Sequence, residues 1–371
     1  IIPGISAANS GSIGDDLDDT DDTDSNDNNT DNSTYTIPST YNFPNVNYSG
    51  QTDRLDMLSL LVDEVKMSHA EGYTVDAQTL NEMYSNEYGA GTFGSEIGTG
   101  GQLVGSTGKD LKNKTYQYTQ ASIVSLFDSI AKYSGKLGGA NGQAGLVARG
   151  DQYILVDATG KEYAQLIDKG LMGSCFYYQG TTKYLSDDKI GDAVDNETVE
   201  PGKGTAKEHH FDEAFGYFGV PIDFPTNTNY VRFWGKYCNK RDDILGTNAI
   251  MEEFLKGRAA ISAKDKEGQD SAVAEIKVLW EKVVAGTAIN YLNHGIANFS
   301  DDGNRLHYLT EAYAFIQALA YNADGTVSLS DSQEILNALG DNFWTVTIND
   351  ITTARDLLAA KAGLESVKTQ L

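Results

Sequence analysis

Two cysteines in 371 residues, Cys175 and Cys238, are too few for a disulfide scaffold. No stretch holds the ~18 consecutive apolar residues that a membrane-crossing helix needs. Bases are scarce as well: 28 Lys and Arg stand against 53 Asp and Glu, a net charge of −25. That imbalance argues against nucleic-acid phosphate as a partner. Catalytic signatures are missing too. There is no His-Glu-x-x-His, and no Ser or thiolate nucleophile with an evident base. The glycines of 89–109 lack the Lys-Ser/Thr pair and the preceding strand of a phosphate-binding loop. Cys175, inside an apolar helix, reads as a buried thiol, with a Cys175 to Cys238 bridge as the sharper alternative. Ile1 opens no recognisable signal peptide, so the chain is expected to be cytosolic or to have lost a targeting segment.

What is present begins with acid. Nine Asp fall in residues 15–31, a span without Lys or Arg, and the rest still carries about −16. Residues 1–40 hold almost no large apolar side chains after Leu17, so little surface is available to offset the entropy of ordering. They are expected to form a disordered Asp-rich tether. The run lacks the fixed Gly and terminal Glu of a Ca²⁺ loop.

From 41 onward the pattern is helical. Leu55, Leu58, Leu61, Val62 and Val65 place a helix over 53–72, and further helices are expected over 76–88, 119–134, 161–179, 243–261, 271–293, 305–321 and 349–367. Residues 152–156 read as one strand of a small hairpin, and 218–240 as an irregular packed connection. Ser330 with Gln333, and Asn349 or Asp350, are the expected caps of the last two helices. The EF-hand-like spacing after Asn322 fails because Ala320 would be its first ligand.

One stretch is repeated. His209-His210-Phe211-Asp212-Glu213-Ala214-Phe215 is echoed 98 residues later by His307-Tyr308-Leu309-Thr310-Glu311-Ala312-Tyr313. Upstream, Asp168-Lys169, Gly173-Ser174 and Tyr178 recur with identical internal spacing as Glu281-Lys282, Gly286-Thr287 and Tyr291. The first copy carries 15 more residues in its polar 179–208 loop. These features predict an all-α fold of two pseudo-repeated helical-bundle halves, 41–240 and 241–371.

A His and a Glu four residues apart share a helix face. If the two His-Glu helices pack together, His209, Glu213, His307 and Glu311 converge as two nitrogens and two carboxylates. Such a set suits iron, manganese, zinc or copper better than calcium. His210 and Glu213 have the i, i+3 spacing of di-iron bundles, so either His209 or His210 is a candidate. Asp212 is available to orient a ring.

His210-Phe211-Asp212-Glu213 resembles the His-x-x-Glu core of the imelysin-like family, exported bacterial proteins associated with iron uptake and once classed as metallopeptidases. Tyr41-Asn42-Phe43, Tyr48-Ser49-Gly50-Gln51-Thr52 and Arg54 resemble a lipoprotein subgroup of it over most of the body. The resemblance implies a two-bundle fold, export to the periplasm or cell surface, an N-terminal lipid anchor just before this chain, and a metal site at His210 and Glu213. The family has Gly two residues before the His, where this chain has Glu208. The leading expectation is a surface-tethered metal-binding protein, iron first and zinc or manganese next, with an outer-membrane or surface protein as partner and no turnover implied. The alternative is a metal-free surface module for a protein or glycan. A metallohydrolase is third.

Overall fold

The structure, a computed structural model, describes residues 35–87, 96–97, 102–103 and 106–371. Residues 1–34 of the expected tether lie outside the described residues, as does most of the Gly-rich 89–109 stretch. Within the latter, β1 (Glu96–Ile97) pairs antiparallel with β2 (Gln102–Leu103). The packed body starts earlier than residue 41. The Tyr35 hydroxyl donates to Asp265 Oδ2 at 2.9 Å. Just beyond it, the buried Tyr41 ring stacks on Phe215. Two aromatic anchors thus hold a segment that its composition marks as tether.

The body is mostly helical. In order come α1 (Ser49–Met67), α2 (Ala77–Ser85), α3 (Gln120–Tyr133), the antiparallel hairpin β3 (Gly145–Arg149) and β4 (Gln152–Val156), and α4 (Tyr163–Leu171). α4 runs directly into a π-helix, Met172–Tyr184. Then follow α5 (Asp187–Ile190), α6 (Ala206–Phe218), α7 (Phe233–Leu245), α8 (Ile250–Ala263), α9 (Lys266–Ala297), α10 (Asp302–Leu319), α11 (Leu329–Leu339) and α12 (Ile348–Lys361).

Several sequence expectations change. The last third of the irregular 218–240 connection is α7, where Trp234, Tyr237 and Cys238 are buried at the helical spacing i, i+3, i+4. The expected 243–261 helix is split because Gly246, at φ +62°, ends α7 in the left-handed region. The 240/241 division therefore falls inside a helix. The cap of α11 is Ser328 with Asp331, and that of α12 is Thr347 with Asp350, both reciprocal boxes. Cys175 and Cys238 are free and buried, and burial pushes each thiol up to about 12. No bridge joins them.

α9 is the spine. Its 32 residues span roughly 48 Å at the α-helical rise and pack against α7, α8, α10 and α12. Ile276, Leu279, Trp280, Val283 and Val284 enter one continuous core. The π-helix approaches both α9 and α10 closely: a Cβ at Gly180 would stand 2.6 Å from the Trp280 ring of α9, and one at Gly173 would stand 2.7 Å from Ala318 Cβ of α10. Two carbonyls of its opening turn accept from outside. Met172 O takes Trp234 Nε1–H at 2.9 Å and Ser174 O takes the Tyr116 N–H at 2.7 Å. External donors on helix carbonyls accompany such departures from the α register. Both His-Glu helices, α6 and α10, pack on this α4 to π segment.

Candidate functional site

A cleft of about 850 Å³ opens where the C-terminal end of α1, the β3–β4 hairpin, the start of α4 and α10 meet. Glu162 forms its floor. The Glu162 N–H donates to Thr310 Oγ1 at 3.0 Å, which fixes the residue at the head of α4 against α10. His307 Nδ1 meets Glu162 Oε2 at 2.6 Å, and the other carboxylate oxygen accepts from Gln165 Nε2 at 3.4 Å. His69 Nε2 lies 3.9 Å from Glu162 Oε1 and has no hydrogen-bond partner. Burial alone would raise the Glu162 carboxyl, but His307, His69 and Arg149 outweigh it and hold the group below its usual range. Burial pushes the His69 imidazole down, more than Glu162 pulls it up.

Below the cleft, the other face of His307 looks at Glu311, with Nε2 3.5 Å from Oε2. Glu311 Oε1 is in turn 3.5 Å from Lys169 Nζ, which pairs with Asp168 Oδ2 at 2.6 Å. Desolvation opposes the charge on Lys169, but Asp168, Tyr237 and Glu311 overcome it and hold the ammonium well above its usual range. The ammonium sits between the two acids, where a bound cation would also have to compete for them.

The first His-Glu helix is built differently. Thr205 and Glu208 form a capping box at the head of α6. Glu208 Oε1 pairs with Arg258 Nη1 at 2.7 Å, and Arg258 Nε reaches Asp212 Oδ1 at 2.8 Å. Tyr41 Oη donates to Asp212 Oδ1 at 2.9 Å, and Arg258 is wholly buried. Glu208, the departure from the imelysin-like Gly, thus has two structural tasks here. Glu213 accepts from Gln51 Nε2 at 2.8 Å. His210 Nδ1 bonds the Lys189 carbonyl at 2.7 Å, beside the Tyr184 ring. His209 Nδ1 is buried without a partner.

The five sequence candidates therefore divide. His307 and Glu311 stand together near the head of α4, and His209, His210 and Glu213 belong to α6, near the tail of the π-helix. The segment between Glu162 and Tyr184 separates the two groups by a distance on the order of 25 Å. As one donor set the five do not fit a metal. Among the described residues, no group of three or more His, Cys, Asp or Glu is arranged to hold one. Sequence reading missed His69 and Glu162. Nothing local links positions 69, 162 and 307, and only the fold brings them together.

A family model described as a domain of unknown function, DUF4856, matches residues 38–365. No curated protein and no solved structure matches the chain.

Proposed function

We propose, for a chain that belongs to the DUF4856 family, a surface binding module that takes a saccharide in the cleft floored by Glu162. One observation carries the reading. Gln165 is buried, yet its Oε1 has no partner while the side chain lines an open cleft. A buried acceptor left unpaired costs about 1–3 kcal/mol, and a turn of the Gln165 amide toward a ligand hydroxyl in the cleft would relieve it. Gln152 and Asn304 add amides that both donate and accept, and Tyr153 adds a ring, a lining suited to polyols. Calorimetric titration with a panel of neutral and acidic oligosaccharides tests this. Binding that Gln165→Leu abolishes in a chain of unchanged melting supports it, and silence across the panel rejects it.

The organisation proposed with it is imelysin-like. Its two repeated halves are supported by the matched spacings through Asp168 to Tyr178 and Glu281 to Tyr291, each on a helix leading toward a His-Glu helix. Export and an N-terminal lipid anchor fit the Asp-rich stretch ahead of the body.

A second reading, a transition metal at His307 and Glu311, iron first and zinc or manganese next, is favoured by one spacing. Nδ1 of His307 is oriented by Glu162, and Nε2 stands 3.5 Å from Glu311 Oε2. Two ligands of one tetrahedral ion with ~2.0–2.1 Å bonds lie about 3.3 Å apart. Elemental analysis of untagged protein beside His307→Ala separates the readings: near-stoichiometric metal lost in the variant favours the metal, and a metal-free parent that takes up none on addition sinks it.

A further inference from the structure

We infer that the cleft selects an acidic sugar, a saccharide ring bearing a single carboxylate, with that charge held by Arg149 and Lys66. The inference rests on the saccharide reading above and sharpens it to one ligand class.

The charge at the cleft opposes the charge of the chain. The body is strongly acidic, but the cleft lining carries two fixed cations, Lys66 and Arg149, against one acid, Glu162. That acid is already consumed: its side chain is 2% exposed and both oxygens are engaged by His307 and Gln165. A ligand entering the cleft therefore meets uncompensated positive charge.

Neither cation forms an ion pair, and Arg149 acts on the Glu162 carboxyl only from a distance. Arg258 pairs with Asp212 and Glu208, Arg305 with Asp302, Arg232 with Asp56, and Lys169 with Asp168. Arg149 instead spends only Nε, donating to Asn304 Oδ1 at 3.0 Å, while its guanidinium lies 5.4 Å from the Tyr308 ring centre. That contact and the ring fix the plane of the group. Among the described residues, its two Nη atoms have no protein hydrogen-bond partner and Lys66 Nζ has no ion pair. A guanidinium held by Nε and a ring presents its outer edge as a two-pronged donor, which matches a carboxylate.

Two further observations narrow the ligand. A polyanion would be repelled by the −25 chain around this small positive spot, so one charge per binding unit fits and a densely charged polymer does not. An apolar carboxylic acid would leave the amides of Gln152, Gln165 and Asn304 that line the cleft without partners. The unpaired Gln165 Oε1 and His69 Nε2 at the floor call for hydroxyls. Carboxylate at the mouth and hydroxyls at the floor together describe a hexuronate unit.

The experiment is isothermal calorimetry on the full chain at low salt with the methyl glycosides of galacturonate, glucuronate and mannuronate, one charge each, their neutral methyl esters, and acetate. We expect at least one free acid to bind at least roughly tenfold tighter than its own ester, with affinity falling as salt rises. Arg149→Gln and Lys66→Gln should each weaken acid binding roughly tenfold and ester binding by clearly less, so that the acid-to-ester ratio narrows. Esters that bind as well as acids would overturn the charge selection and leave the saccharide cleft standing. Acetate binding as tightly as the uronate glycosides would overturn the sugar half. Silence from acids and esters alike would overturn both this inference and the reading beneath it.

Discussion

α6 and α10 carry the same His-Glu pattern and put it to opposite uses. On α6, the neighbouring acids Glu208 and Asp212 are sealed around Arg258, which has no exposed surface. On α10, His307 is shared between Glu162 at a cleft floor and Glu311 beside Lys169. The difference lies in what faces the helix. A long fixed cation from α8 closes the first network. In the second, the hairpin and the end of α1 leave one side open to solvent. An i, i+4 pairing alone does not distinguish packing from binding.

Breaking the sealed network should cost most. Arg258→Leu leaves Asp212 buried without its cation, and loss of one partner of a buried pair costs about 3–5 kcal/mol. Urea denaturation should show that loss with an unchanged slope. A stability near that of the parent would mean that Asp212 is not held as an ion.

Lys169→Met tests the inner half of the second network. It strands Asp168 and Glu311 together, and a loss of about 3 kcal/mol is expected. His307→Gln should cost less, about 1–2 kcal/mol, because water from the cleft can replace the lost hydrogen bond to Glu162. If His307→Gln proved as damaging as Arg258→Leu, the contrast between sealed and open would collapse.

The smallest effect is in pH. His69 is held below its ordinary 6.5, so below that value the unfolded chain takes up a proton that the folded chain refuses. Stability from this group is present above 6.5 and is lost as pH falls through the folded value. Glu162, also depressed, has the same sign: its contribution is present above its ordinary 4.5 and is lost at lower pH. Melting followed from pH 7 to 5 should show a decline, of at most about 1.4 kcal/mol per pH unit for His69, and His69→Gln should make it shallower, leaving the part due to His210 and His294, which burial also holds down.

The helices were legible because their apolar residues repeat at helical spacing, as in Leu55 to Val65, and the β3–β4 hairpin because Tyr153 to Val156 suits a strand. α7 was hidden by the prolines ahead of it and by its many polar residues, although Trp234, Tyr237 and Cys238 carry the period. The site was half legible. His307 and Glu311 are neighbours in sequence and in space. Of their real partners, His69 follows α1, Glu162 caps α4 and Lys169 lies on α4, and no spacing rule spans 145 residues from Glu162 to His307. The convergence expected with His210 and Glu213 failed to form because the α4 to π segment lies between the two helices.

Trp234 and Trp280, both without exposed surface, sit on either side of that segment: one indole bonds the Met172 carbonyl where the register lengthens, and the other lies against Gly180. An indole in a dry, fixed pocket emits at shorter wavelength than one in water. The chain therefore carries its own optical gauge at both ends of the π-helix, and with the third indole removed by Trp344→Phe, a red shift in emission would report that the wide turn had loosened, with no label attached.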